Sequence, residues 1–213
     1  MKNKIYYIFD PLCGWCYGFS PVIKKLEEQF GEEISFETIC GGMVLGERVQ
    51  PIAHMRDYLK EAIPRLEEMT GVKFGQAYMD ILEEGKLALS SEIPSIAMLV
   101  FKSMSIKSPV TFASALQKEL YEKGHNLNLL ENYESLVKEF NIDWEVFQEK
   151  MKSESYKQKA YEEFKISSQM GIQGFPSVVF QTGKEAYLIA RGYRPFEEMT
   201  AVIEQIKKKE ETA

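Results

Sequence analysis

The chain has no uninterrupted apolar run approaching the roughly 18 residues that a membrane-spanning helix requires, so no membrane contact is expected. It is also poor in histidine, with two, and in cysteine, with three among 213 residues. So few cysteines do not make a disulfide scaffold. In a reducing compartment, a close cysteine pair is instead catalytic or metal-binding. A basic excess is missing too: 26 Lys and Arg stand against 32 Asp and Glu, a net charge of −6. That excludes general nucleic-acid binding through a cationic face. The run Lys207-Lys208-Lys209 is followed at once by Glu210 and Glu211 and reads as a solvated helix end. Met1-Lys2-Asn3-Lys4-Ile5 is basic but lacks the apolar stretch and small-residue cleavage site of a signal peptide. A cytoplasmic protein is therefore expected.

What is present is ordinary globular composition, 45% hydrophobic and 27% charged. Lys4 to Phe9 is β-branched and aromatic and stops at Asp10-Pro11, as a buried strand followed by a turn does. Val22, Ile23, Leu26 and Phe30 then recur at helical spacing, and Ile34 to Ile39 reads as a second strand closed by Gly41-Gly42. This is a β-α-β unit, whose parallel strands require the crossover helix. Residues 51–168 change character. Helical stripes dominate (Phe112, Leu116, Leu120; Trp144, Phe147, Met151; Tyr156, Ala160, Phe164), and Asp143 offers an N-cap. These stripes predict a helical core of its own. Ser177 to Phe180 and Ala186 to Ala190 form a hairpin across Thr182-Gly183. A last amphipathic helix follows, with Pro195 suited to its first position. The expected architecture is α/β: β-α-β from 1–50, an inserted all-helical block at 51–168, and β-β-α from 169–213.

Cys13-Gly14-Trp15-Cys16 carries the chemistry. With the first cysteine at a helix N-terminus and the second one turn inside, both sulfurs come within disulfide reach. The first then faces free backbone N–H groups and the positive end of the helix dipole. That environment favours thiolate over thiol, making Cys13 the attacking nucleophile and Cys16 the resolving thiol. The competing reading is half of a zinc site. It lacks a second paired motif, since Cys40, His54 and His125 are scattered, so no metal is expected. Pro21 falls inside the helix and removes a hydrogen bond that would reach back to Tyr17, a cost few buried helices accept.

Phe9-Asp10-Pro11-Leu12-Cys13-Gly14-Trp15-Cys16, Pro21 and Gly171-Ile172-Gln173-Gly174-Phe175-Pro176-Ser177 together resemble the DsbA-like thiol–disulfide oxidoreductases of the thioredoxin superfamily. They look closest to the cytoplasmic branch described as predicted protein-disulfide isomerases. The resemblance implies a thioredoxin-like fold interrupted by a helical domain. It implies a cis bond at Pro176 that places the Phe175 backbone beside the cysteines, where it pairs with an extended substrate. It makes Pro176 a member of the catalytic set with Cys13 and Cys16, and Gly14, Trp15 and Phe175 the substrate-contacting residues. Protein or peptide disulfides and small thiols are the expected partners. No cofactor is expected beyond the dithiol itself, with glutathione or another small thiol as electron donor. The periplasmic oxidases of the family carry a histidine between the cysteines. Gly14 and Trp15 supply no such donor, which points to a milder exchanger with reductase or isomerase direction.

Other residues carry lesser expectations. Cys40 reads as a small buried hydrophobe, His54 and His125 as surface or capping residues, and Asp10 as a strand-ending turn residue. Trp15, Tyr17 and Phe175 suggest an apolar rim. Glu37 lies near where thioredoxins keep a buried carboxylate that assists the second cysteine. Two other functions compete: a glutathione-dependent transferase or isomerase of the kappa-class and hydroxychromene-carboxylate isomerase type, and a non-enzymatic interaction module using its cysteines as a switch.

Overall fold

The computed structural model describes residues 3–211. Met1 and Lys2 of the basic opening segment, and the end of the 169–213 unit, lie outside the described residues. Four strands form one sheet in the order β2-β1-β3-β4: β1 Asn3–Phe9, β2 Ile34–Cys40, β3 Ser177–Thr182 and β4 Glu185–Arg191. β1 and β2 run parallel across the crossover helix α1, Gly14–Phe30. β3 returns antiparallel to β1, with Ile8 opposite Ser177, and hairpins into β4. This register sets Pro176 next to Phe9, the strand end that leads into the cysteine loop.

Between β2 and β3 the chain forms seven helices: α2 Arg56–Thr70, α3 Gln76–Glu84, α4 Glu92–Met104, α5 Pro109–Tyr121, α6 Glu134–Glu139, α7 Trp144–Met151 and α8 Glu154–Gln169. α9, Phe196–Glu211, closes the described chain. The Asp143 side chain caps α7 as expected, accepting from the Val146 N–H. Pro195 sits one residue before α9, its carbonyl accepting from the Met199 N–H.

The seven helices do not close a core of their own. Phe101, Phe112 and Phe147 belong to the same continuous apolar cluster as Tyr7, Phe19 and Leu26, and α5 packs directly on α1. Helical periodicity shows which face of a helix is buried, but not what buries it.

Alternation along β2 decides the fate of Glu37. Phe36 and Cys40 point into the main core with α1. Glu37 lies on the opposite face, half exposed, 3.8 Å from the Lys4 ammonium. It is therefore not the carboxylate beneath the cysteines. That face carries only a small cluster of Ile8, Ile39 and Val179, with Ile172 and Phe175 packed against it.

β2 is an edge strand, and two of its outer backbone groups, at Thr38 and Cys40, are met by the inserted helices. Lys102 of α4 donates to the Thr38 carbonyl at 2.8 Å, and the Cys40 N–H donates to Glu163 of α8 at 2.8 Å. Lys102 and Glu163 also pair with each other. One ion pair thereby covers the C-terminal end of an edge that would otherwise offer itself to another chain.

Candidate functional site

β1 delivers the chain to Asp10 and a turn, after which Cys13 occupies the N-cap of α1. The Cys16 N–H donates to Cys13 Sγ at 3.3 Å, so a sulfur takes the place that a Ser or Asp oxygen usually fills. Cys13 Sγ in turn donates to the Phe175 carbonyl at 3.6 Å. The Phe175–Pro176 peptide is cis. Cys13 keeps 5% of its surface exposed and Cys16 none. Both cysteines are buried, and of the two only Cys13 lines a cavity. Burial pushes the Cys16 thiol well above its ordinary range, and Cys13 beside it adds to the shift. α1 runs unbroken past Pro21.

The carboxylate of Asp10, read from the sequence as a strand end rather than a group that tunes the site, lies close to the pair. Asp10 is fully buried. Its Oδ1 accepts from the Leu12 N–H and the Ser91 hydroxyl, both at 2.9 Å, and its Oδ2 accepts from the Met43 N–H at 2.7 Å. Burial still outweighs these donors and raises its carboxyl above the usual range. Asp10 thus ends the strand, as its turn chemistry suggests. It also ties the cysteine loop to the segment after β2 and to the start of α4. Only the fold brings residues 43 and 91 to it. The signal in the sequence is slight: an acidic residue directly after the apolar run Ile5–Phe9.

The other candidates fall into two groups. Gly14 and Trp15 are partly exposed and line, with Cys13, a largely apolar cavity of 480 Å³ between the N-terminus of α1 and the inserted helices. Phe175 reaches the pair through its carbonyl, while its ring lies over Gly41, where a Cβ would sit 2.0 Å from the ring. Tyr17 is not a rim residue. It is buried, its hydroxyl donating to the Lys73 carbonyl at 2.8 Å and to Glu122 at 2.9 Å. Cys40 is fully buried against the Lys102–Glu163 pair. His54 is exposed, and His125 bonds Glu119 at 2.7 Å. Neither histidine lines the cavity beside Cys13. Among the described residues, no group of three or more His, Cys, Asp or Glu side chains is placed to hold a metal ion, and no helix is long and apolar enough to cross a membrane.

A sequence model of the family described as thioredoxin matches residues 6–201, nearly the whole chain. The chain belongs to the thioredoxin family. Among curated relatives, the ClpXP adapter protein SpxH of Bacillus subtilis is 24% identical over 180 residues, which cover 83% of this chain and 58% of that protein. The chain thus spans less than two thirds of this relative. Among solved structures, a Nitrosomonas europaea protein described provisionally as a protein disulfide isomerase superimposes with a TM-score of 0.84. It is 24% identical, over 98% of this chain and 99% of that one. The cytosolic disulfide reductase DsbM of Pseudomonas aeruginosa, also solved with GSH, gives 0.77 at 23% identity over 96% and 98%. These structural likenesses establish the thioredoxin-like fold with its helical insertion.

Proposed function

We propose that the protein is a thiol–disulfide oxidoreductase or isomerase acting through Cys13-Gly14-Trp15-Cys16 in the cytoplasm. The observation that carries this reading is the position of Cys13 Sγ: at the helix N-cap, accepting the Cys16 N–H at 3.3 Å and donating to Phe175 O at 3.6 Å. Cys13 thiolate attacks one sulfur of a substrate disulfide, forming a mixed disulfide and expelling the other sulfur as thiolate. The helix N-terminus and the Cys16 N–H stabilise the negative sulfur before attack. Once Cys13 has lost its proton, the Phe175 carbonyl is free to accept an N–H from an extended substrate. Pro176, with no N–H of its own, leaves that edge open. Cys16, deprotonated, then attacks Cys13 Sγ, closing the Cys13–Cys16 disulfide and releasing the second substrate thiolate. A small thiol of the glutathione class returns the pair to the dithiol by two exchanges. This role for glutathione is in keeping with the GSH-bound DsbM structure.

Gly14 leaves space beside Cys13, since a Cβ there would only reach ordinary contact with Leu66 and Phe74. Trp15 presents an apolar face to the incoming group. Cys16 lies one helical turn from Cys13, which favours exchange over the single-thiol chemistry of the kappa-class and hydroxychromene-carboxylate isomerase type, where no resolving thiol is needed. The test is trapping. Cys16→Ser should accumulate mixed disulfides with proteins or small thiols, and Cys13→Ser should accumulate none. Full disulfide-reductase activity in Cys13→Ser overturns the reading.

The name of the SpxH relative favours a second reading, that of an adapter delivering another protein to a protease. Adapter binding that survives a Cys13→Ser/Cys16→Ser double substitution separates the two.

A further inference from the structure

A polar side chain that the exchange steps leave unused lies against the cysteine turn. Gln117, on α5, is fully buried. Its Nε2 donates to the Asp10 carbonyl at 3.3 Å, across 107 positions of sequence. The same carbonyl accepts from the Cys13 N–H at 3.0 Å, which closes the turn that sets Cys13 at the N-cap of α1. The residue after Asp10 is Pro11, so the peptide between them has no N–H of its own. Only the bonds its oxygen accepts can fix the plane of that peptide, and Gln117 supplies the one that comes from outside the turn. The Asp10 backbone also serves the second cysteine. Burial opposes ionisation of Cys16, and a backbone hydrogen bond from Asp10 works against that burial.

The other end of the amide is unsatisfied. Gln117 Oε1 is buried and has no hydrogen-bond partner among the described residues. Turning the amide over gives no relief, because it would set two acceptor oxygens against each other at the Asp10 carbonyl. An orphaned buried acceptor carries a desolvation cost that an apolar side chain of similar volume avoids. Departures of this kind are concentrated where function needs them. We infer that Gln117 is a positioning residue of the exchange site: by holding the Asp10 carbonyl it fixes the turn from Asp10 to Cys13, and with it the seat of Cys13 at the helix N-cap and of the Asp10 backbone beside Cys16. It acts through Asp10. Since α5 packs on α1, the inserted helices thereby help to set the geometry of the cysteine pair. The effect on the resolving step rests on the exchange reading above.

Gln117→Met tests the assignment, because it keeps the length of the side chain and removes both the donor and the orphaned acceptor. The thermal midpoint should stay the same or rise. The rate of Cys13 alkylation by iodoacetamide at neutral pH should fall about two- to tenfold, the worth of one hydrogen bond. Release of substrate thiol from a Cys13 mixed disulfide should slow by a similar factor. Phe112→Leu serves as the structural control on the same helix: Phe112 stacks on Phe101 at 4.1 Å, so this change should lower the midpoint and leave alkylation unaltered. If Gln117→Met does not fold, Gln117→Asn decides, since it draws the donor back by one methylene and should slow alkylation to the same extent. An unchanged alkylation rate in either variant overturns the assignment. So does a fall in the Gln117→Met midpoint as large as that of Phe112→Leu, which would make Gln117 a stabilising contact. Reduction assays separate the two levels. If the unmodified chain reduces neither insulin nor hydroxyethyl disulfide, the exchange reading falls, and the alkylation rates still decide the role of Gln117. If it reduces them and Gln117→Met matches it in both reduction and alkylation, the positioning role falls and the exchange stands.

Discussion

Cys13 Sγ donates to the carbonyl oxygen of Phe175 at 3.6 Å, across 162 positions of sequence. The contact exists because β3 pairs with β1 in a register that sets Ser177 against Ile8, so the end of β1 and the start of β3 lie side by side at the middle of the sheet. Removing the nucleophile should therefore leave the fold unchanged and remove the chemistry. Cys13→Ser is expected to lower disulfide-reductase turnover by roughly a hundredfold or more, with an unaltered thermal midpoint. Turnover and calorimetry on the same preparation check both halves.

The redox poise follows from what surrounds Cys13. Gly14 and Trp15 add no side-chain donor to the sulfur. The Cys13–Cys16 couple should then equilibrate with glutathione buffers in the range of roughly −200 to −270 mV. A value above about −150 mV shows a thiolate far better stabilised than this site provides.

Asp10 governs pH dependence in two ways. Burial raises the carboxyl in the folded protein above its unfolded value near ~3.9, so the folded state binds this proton more tightly. Its contribution to stability is complete below the unfolded value and is lost as pH rises through the folded one. Asp10→Asn should remove that slope from the pH profile of unfolding midpoints. Because Cys16 must shed a proton from a buried site before it attacks, the same substitution should slow resolution of a Cys13 mixed disulfide about tenfold or more near neutral pH. Stopped-flow rates across neutral pH measure it.

Gly41 and Phe175 are fitted to each other. A Cβ at Gly41 would lie 2.0 Å from the Phe175 ring, so Gly41→Ala must displace the ring and the loop that carries its carbonyl. A stability loss of about 1–3 kcal/mol is expected, together with a raised KM for peptide disulfides. Denaturant unfolding and steady-state kinetics test the pair of effects.

The Lys102–Glu163 pair is mostly buried, with side-chain exposures of 20% and 13%. Glu163→Ala leaves the Lys102 ammonium with the Thr38 carbonyl but no counter-charge and the Cys40 N–H without its acceptor, a loss of about 3 kcal/mol by analogy with broken buried pairs. Guanidinium unfolding of the two proteins gives the difference directly.

Much of this molecule was legible from local chemistry. The strand that stops at Asp10-Pro11, the cysteines spaced one turn apart and the helical stripes between 51 and 168 all depend on near neighbours. The four strands and the Asp143 cap followed from them. Glu37 went the other way, because alternation says that Phe36 and Glu37 face opposite sides but not which side meets α1. Asp10 was undervalued for a related reason: its partners Met43 and Ser91 are far off in sequence.

The sequence by itself determined that Cys13 and Cys16 share a helix N-terminus, since two intervening residues and the preceding strand leave the backbone few alternatives. Tertiary structure alone decided what surrounds them. The cis Phe175–Pro176 bond, the buried Asp10 and the cavity beside Cys13 are assembled from segments as distant as residues 10, 78, 121 and 175. Periodicity reports whether a side chain is buried. Only long-range packing determines its partner, and at this site the chemistry depends on the partner.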